Sequence, residues 1–162
     1  MTNAPLAAER LFCSFRVDGR LFGVDILDVK EVTTETACTS IAHAPAAVLG
    51  LVNIRGHIYL ALDLRRLLGL PATVITADSR LVLFKPAVGN AFGVVVDEIT
   101  GIHTTTTQSL EDFRAGQQTE VTSQWDRLDL IAAVCKLPEE LLVVLNPRRF
   151  LPLVEQHLAT SA

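Results

Sequence analysis

The sequence predicts a mainly β protein built from two small β-barrels in tandem. The first observation is a repeat: residues near the start of the chain recur 70 positions later, as Leu11 and Leu81, Gly19 and Gly89, Phe22 and Phe92, Gly23 and Gly93, Val24 and Val94, Ile26 and Val96, Asp28 and Glu98, Val29 and Ile99. Each half then ends in a matching segment, 62–68 and 145–151. A repeat at fixed spacing indicates one supersecondary unit built twice.

The second observation is a series of short segments rich in β-forming residues and separated by turn signals, which is typical of barrels and sandwiches. Closing each half into a barrel would remove its exposed edge strands. The chain has 162 residues, so each half alone would bury only a marginal core. We therefore expect one domain over 10–153, with subdomains over about 10–75 and 79–153, a shared apolar seam, and a flexible arm over 1–9.

The first half begins with the clearest hairpin signal in the chain. Asp18 and Gly19 separate two apolar runs, and this dipeptide suits a turn in which both residues have positive φ. Asp63 is a predicted N-cap and Gly69 a predicted stop for a short helix. The elements expected in order are strands 11–17 and 20–24, a helical turn at 25–28, a strand to 32, strand and loop over 33–42, a helical turn at 45–49, a glycine-flanked loop over 50–56, strand 57–62 and helix 64–68.

The second half repeats this order with weaker signals. Its expected elements are strand 79–85, a turn at 87–90, strand 91–96, a second short turn at 97–99, strand 103–107, a surface loop over 114–124, strands 128–134 and 141–145, and a C-terminal helix over 148–158.

Composition excludes several classes of function. The net charge is −4 and no basic run is present, which argues against a nucleic-acid partner. Three cysteines without CxxC spacing predict no disulfide framework and a reducing cytoplasm. No apolar run reaches 18 residues, so no membrane insertion is expected. The four histidines have no metal spacing, and we find no nucleophile motif, so we predict no catalytic residue, cofactor or metal.

One block is specific enough to suggest a family. Gly50-x-x-Asn53-x-Arg55-Gly56, followed by Leu62-Asp63-Leu64-Arg65, resembles the signature of the CheW family, the coupling proteins of bacterial chemosensory arrays. Segments 22–32 and 92–99 are similar to the family's two return strands. The resemblance covers about 10–153. The chain departs from the family pattern at Leu60-Ala61 and at Ala132.

This resemblance implies two five-stranded, SH3-like barrels packed together. It implies a non-catalytic adaptor that couples methyl-accepting chemoreceptors to a CheA-type histidine kinase in chemotaxis. The partners would be the receptor's cytoplasmic tip and the kinase's regulatory domain, and the adaptor would be cytoplasmic, recruited to membrane receptor arrays and able to assemble with them.

The resemblance also implies a receptor-binding site at Val29, Arg55, Ile102 and Gly50. From the residues alone, each has a structural alternative. Gly50 could leave room for a partner or serve a tight turn. Arg55 could contact the receptor or pair with Asp63 or Glu31 inside the protein. Val29 and Ile102 could line a groove between the barrels or belong to the core.

The predicted kinase-facing residues are Glu31, Arg80 and Leu81, although an acid such as Glu31 is often merely solvated. Three other interpretations remain at this point. The chain could be an adaptor of a non-flagellar pathway for surface motility or second-messenger control. It could be a fragment of a larger protein, either the regulatory domain of a kinase or an adaptor fused to a receiver domain. Its start at Met1 and its length disfavour this alternative. Least favoured is a small β-barrel enzyme.

Overall fold

The computed structural model describes residues 8–112 and 128–160, so the loop expected over 114–124 and most of the N-terminal arm lie outside the described residues. We call β1–β5 with α1 the first repeat, and β6–β11 with α2 the second repeat. The elements are β1 (Glu9–Val17), β2 (Arg20–Asp25), β3 (Val29–Thr33), β4 (Val48–Ile54), β5 (His57–Asp63), α1 (Leu64–Leu67), β6 (Arg80–Phe84), β7 (Phe92–Val96), β8 (Glu98–Thr106), β9 (Leu110–Asp112), β10 (Ile131–Lys136), β11 (Leu141–Leu145) and α2 (Phe150–Thr160).

Local signals placed three features of the first repeat correctly. Asp18 and Gly19 have φ values of 53° and 74° and join β1 to β2. Asp25 accepts a hydrogen bond from the backbone N–H of Leu27 (2.9 Å) and starts the short 3-10 turn before β3. Asp63 caps α1 in the same way, by accepting from the backbone N–H of Arg65 (3.1 Å).

Several segments differ from the sequence prediction. Residues 45–49 are not helical: the N–H of Val48 donates to the carbonyl of Pro45 (2.9 Å) in one turn, and β4 has already begun. The predicted loop over 50–56 is mostly strand, because only Arg55 and Gly56, with φ values of 50° and 86°, form the turn between β4 and β5. In the second repeat, the short turn predicted at 97–99 is a bend at Asp97 that leads directly into β8.

The strands form two hydrogen-bonded sheets, and each sheet contains strands of both repeats. One sheet has the order β3-β6-β7-β5-β4, and the other has β8-β1-β2-β11-β10-β9. The β6–β7 hairpin of the second repeat therefore lies between strands of the first repeat, and the β1–β2 hairpin lies between strands of the second. The sheets consequently do not divide the chain at residues 75–79, where the repeat predicted a boundary between subdomains.

The two repeats therefore exchange hairpins, and this exchange is symmetric even at the level of individual residue pairs. Phe22 of β2 lies opposite Val143 of β11, and Phe92 of β7 lies opposite Leu60 of β5, both in parallel pairing. The spacing of 70 relates the two phenylalanines, and the spacing of 83 relates their partners. The repeat seen in the sequence is therefore a structural repeat with a reciprocal exchange of hairpins.

The largest apolar cluster joins the two sheets, which confirms the expected seam. It contains buried residues of both sheets together with α1 and α2. Two smaller clusters lie apart from it, one around Tyr59 and Leu81 and the other around Phe12 and Leu142. We call the largest cluster the central cluster. Its phenylalanines are Phe15, Phe22, Phe84, Phe92 and Phe150.

Substitution of Gly93 by alanine tests how tightly an exchanged hairpin is packed. A Cβ at Gly93 would lie 2.5 Å from the backbone carbonyl oxygen of Val82 and 2.9 Å from Leu83 Cδ2, so the backbone must shift. We expect Gly93→Ala to lower the free energy of unfolding by about 2 kcal/mol, as overpacking of a filled core does. Urea denaturation followed by circular dichroism measures this.

Gly23→Ala is the matched control, because Gly23 occupies the equivalent place in the other hairpin. Its Cβ would lie 3.2 Å from Leu142 Cδ1 and 3.3 Å from Phe12 Cβ, so no backbone atom is approached closer than 3.5 Å. We expect less than about half the loss seen at Gly93. Equal losses at both glycines would contradict this account of the packing.

Candidate functional site

Arg55 is displayed by a two-residue turn at the end of the β4–β5 hairpin. Asn53 Oδ1 accepts a hydrogen bond from the N–H of Gly56 (2.8 Å), so Asn53 stabilises its own turn. Arg55 itself adopts the left-handed conformation, with φ of 50°. The turn holds the backbone in a defined shape and points the arginine side chain away from the barrel core.

The guanidinium of Arg55 forms an ion pair with Glu31 of strand β3. Glu31 is thus the internal partner, rather than Asp63, which caps α1 and binds Thr73. The side chain of Arg55 is nevertheless 71% exposed, whereas that of Glu31 is 24% exposed. The hydrogen bond from Arg55 lowers the pKa of Glu31, and the same bond raises the pKa of Arg55.

A second contact between β3 and the β4–β5 hairpin lies beside this ion pair. Lys30 Nζ donates to the hydroxyl of Tyr59 (2.7 Å) and lies 5.3 Å from the centre of its ring. The register of β3 against β6 shifts between Val29 and Glu31. Such a bulge redirects neighbouring side chains, so Lys30 and Glu31 both reach the hairpin. Sequence reasoning missed Lys30, because a bulge carries no reliable local signal.

These contacts show that the five-stranded sheet curls until β3, at one edge, contacts the β4–β5 hairpin at the other edge. The six-stranded sheet closes comparably, since Thr105 Oγ1 of β8 lies 3.4 Å from Cys135 Sγ of β10. Beside each closure, the edge strands β3 and β8 keep exposed side chains. These two strands carry most of the apolar residues predicted to bind a partner.

The apolar residues on β3 and β8, and those next to these strands, differ in exposure. Ile102 on β8 is 63% exposed, and Val32, its equivalent on β3 at a spacing of 70, is also exposed. Val29 and Ile99 are half-buried and pack against the central cluster, as does Ile26. Val96 is fully buried. The exposed pair is therefore Val32 and Ile102, and a shared groove containing Val29 and Ile102 stays a prediction.

Gly50 does not leave room for a partner, because the chain itself fills that space. Gly50 is buried, has φ of 146°, and a Cβ there would lie 2.2 Å from the carbonyl oxygen of Thr39. Thr39 crosses β4 at this point and exchanges two backbone hydrogen bonds of 2.8 Å with Leu51. The sequence showed that a glycine was needed but not which segment approached it.

Leu81 cannot face a kinase, since it is fully buried in the cluster around Tyr59. The prediction was wrong because the exchange places β6 in the centre of a sheet, between β3 and β7. Arg80, one residue earlier, is half-buried, and its NH1 donates to the backbone carbonyls of Ala77 and Ser79 (2.8 Å each). Its role in binding a kinase stays a prediction.

Two further properties concern the described ranges only. Neither helix within them has the length and apolar character that a membrane crossing demands. In the same ranges, histidine, cysteine and carboxylate side chains do not gather in groups of three that could hold a metal ion.

Comparison with known structures supports the barrel fold. The chain superposes on the scaffolding protein TtCheW from Thermoanaerobacter tengcongensis with a TM-score of 0.73 and 23% identity, over 85% of this chain and 89% of that one. At this identity the likeness establishes the fold, which is two SH3-like β-barrels with a short C-terminal helix.

Sequence comparisons agree with the structural one. The chain is 31% identical over 114 residues to the chemotaxis protein CheW of Rhizobium meliloti, covering 68% of this chain and 73% of that protein. It is 29% identical over 103 residues to a probable chemotaxis protein CheW of Rhizobium etli, covering 64% and 66% respectively. The model of the CheW-like domain matches residues 11–155. This protein therefore belongs to the family of CheW-like domains.

Proposed function

We propose that this protein is a non-catalytic adaptor that couples methyl-accepting chemoreceptors to the regulatory domain of a CheA-type histidine kinase in chemotaxis. Membership of the CheW-like family supports this proposal, as do relatives whose names denote chemotaxis proteins. The adaptor acts in the cytoplasm at membrane receptor arrays. It needs no cofactor or nucleic acid, because its task is to hold two proteins in register.

The observation that carries this proposal is the exposed but oriented guanidinium of Arg55. Glu31 fixes its direction through one terminal nitrogen, and arginine has five N–H donors in a rigid fork. The remaining donors face solvent, since 71% of the side chain is exposed. A preorganised arginine loses little conformational entropy on binding, so it suits a carboxylate or backbone carbonyl of a receptor helix.

Apolar residues on the edge strands complete the proposed receptor site. Val32 and Ile102 are exposed on β3 and β8, and Val29 lies half-buried between the surface and the central cluster. A receptor helix with aliphatic residues at i, i+3 and i+4 would cover such residues while its polar side reached Arg55. Apolar burial then provides affinity, and Arg55 provides orientation.

The kinase would bind a surface that includes Glu31 and Arg80. Arg80 begins β6, three positions before Leu83, which lies opposite Glu31 in β3. Each contact in such an adaptor is on the order of 1,000 Å² with micromolar affinity. Assembly into an array would then depend on multivalency, because each adaptor holds two partners at once.

Exchange of the two charges separates a receptor contact from an internal role of the ion pair. Arg55→Glu alone places two carboxylates together, and we expect it to fold but to lose receptor binding by about tenfold or more. Glu31→Arg combined with Arg55→Glu restores an internal ion pair with reversed charges. We expect this double variant to regain stability but not binding, measured with a soluble receptor-tip fragment by titration calorimetry.

Recovery of binding in the double variant would show that only the internal pair matters. Arg66→Glu is the control, because Arg66 is exposed on α1 and lies outside the proposed surface. Unchanged binding in Arg55→Glu would reject Arg55 as a receptor contact.

Ile102→Asp tests the apolar part of the site with little risk to the fold. Because 63% of Ile102 is exposed, the variant should change stability by less than about 0.5 kcal/mol. Receptor-fragment affinity should fall about tenfold, since a charge would be buried against an apolar helix face. Val74→Asp is the matched control, because Val74 is an even more exposed aliphatic residue (77%) in the linker between repeats. An equal loss there would indicate a non-specific effect of charge.

Titration of Glu31 tests the ion pair directly. The hydrogen bond and positive charge of Arg55 lower the pKa of Glu31, and the nearby charge of Lys30 adds a smaller effect. The stability that this pair contributes is present above the unfolded pKa of the carboxyl and is lost as pH falls through the lowered folded value. We expect Arg55→Gln to move the pKa of Glu31 upward in carbon-13 NMR of the carboxyl groups, and an unmoved pKa would exclude the pair in solution.

A further inference from the structure

A cleft of about 500 Å³ lies away from the Arg55 turn, where the end of β2, the β6–β7 turn and the segment after β11 meet. Its apolar lining includes the half-buried Val88 and the exposed Leu27. Three cationic side chains also line it, and they are Arg10, Lys85 and Arg148. Nothing in the proposed receptor or kinase contacts uses this cleft.

The structural repeat supplies an internal example of what fits beside such an arginine. Arg65 is the equivalent of Arg148 at the spacing of 83. Asp97 accepts from Arg65 Nε (3.1 Å) and from Arg65 NH2 (2.6 Å), and Asp18 Oδ1 lies 3.9 Å from Arg65 NH1. Two carboxylates thus surround Arg65, and its side chain is only 24% exposed.

Arg148 has a single carboxylate where Arg65 has two. Its NH1 donates to both oxygens of Asp28 (3.1 Å each), which leaves NH2 and Nε without an acceptor in the described part of the chain. Its side chain is 51% exposed. At the spacing of 70 the counterpart of Asp18 is Val88, so the second carboxylate is absent and an aliphatic side chain stands in its place.

Lys85 adds a second cation to the same cleft. Within residues 8–112 and 128–160, no carboxylate lies within ion-pair distance of its ammonium, whereas Arg10 is already paired with Asp25 at 2.9 Å. The cleft therefore presents an ammonium and the outer edge of a guanidinium above apolar side chains. Its charges complement one carboxylate attached to a short aliphatic group.

We propose that this cleft binds the carboxylate of an aspartate or glutamate in a partner protein, next to an aliphatic residue that covers Val88 and Leu27. The carboxylate takes the place beside Arg148 that Asp18 takes beside Arg65, and Lys85 supplies a second charge. The proposal goes beyond receptor coupling and does not depend on it, because it concerns a different surface. The ligand chemistry is inferred from the carboxylates beside Arg65, not from any receptor.

A small peptide probe tests the chemistry without a receptor or a kinase. We would titrate N-acetyl-leucyl-aspartic acid amide into the full-length nitrogen-15 protein and follow the amide signals of the cleft and the Nε–H signal of Arg148. The asparagine analogue, identical in shape but uncharged, is the control ligand. We expect saturable shifts with millimolar affinity for the aspartate probe only, weakening as salt screens the charges.

Matched variants assign the response to the cleft. Lys85→Gln should keep the fold, because the Lys85 ammonium makes no ion pair within the described ranges, and it should weaken probe binding about threefold. Arg148→Gln should weaken it about fivefold. Arg149→Gln is the control, since this exposed neighbour does not line the cleft, and it should bind as the parent does. Val88→Asp, which recreates the carboxylate found beside Arg65, should abolish binding, whereas Val88→Asn should not.

Several results would overturn the proposal. Equal shifts with the asparagine analogue would show that no carboxylate is recognised. Parent-like binding in both Lys85→Gln and Arg148→Gln, or an equal loss in Arg149→Gln, would show that the probe responds to the overall surface charge and not to a defined site. Tighter binding of inorganic phosphate than of the aspartate probe would define a phosphate site instead.

Discussion

Each sheet is completed by a hairpin that belongs to the other repeat, and two parallel strand pairs hold these hairpins in place. Because β2 pairs with β11 and β7 pairs with β5, neither repeat can complete its sheet alone. This explains why the largest apolar cluster lies between the sheets, while the cluster around Tyr59 and the cluster around Phe12 are small. The hairpin exchange therefore predicts that the two repeats fold as one unit.

The exchange of hairpins also determines which strands lie at the edges of the sheets. It places β6 and β1 inside the sheets and leaves β3 and β8 at the edges, where exposed aliphatic residues remain. Asp63 caps α1, and Asn146 likewise accepts a hydrogen bond from the backbone N–H of Arg148 (3.1 Å). The arginine two positions after each cap ties its repeat to the other repeat. Arg65 reaches Asp97 across one junction, and Arg148 reaches Asp28 across the other. The proposed binding surfaces thus lie on a framework whose two halves are joined by strands and by ion pairs.

Local chemistry made part of this structure predictable. The Asp18-Gly19 turn and the Asp63 cap depend on residues next to one another, so the sequence indicated them correctly. The repeat itself was visible because equivalent positions keep similar residues. The exchange of hairpins was not, since the same apolar pattern suits a sheet completed by either repeat. The burial of Leu81 and the approach of Thr39 to Gly50 both follow from contacts distant in sequence, and they reversed two predicted site residues.

The differences between the repeats indicate which residues the fold does not require. The β4–β5 turn and the turn after β10 are equivalent at a spacing of 83, so Pro138 stands where the first repeat has Arg55. Gly101 likewise stands at the counterpart of Glu31. The second barrel closes without this ion pair, which therefore is not a general requirement of the barrel. Its presence in one repeat alone, on an exposed turn, is what a docking site on a duplicated framework would show.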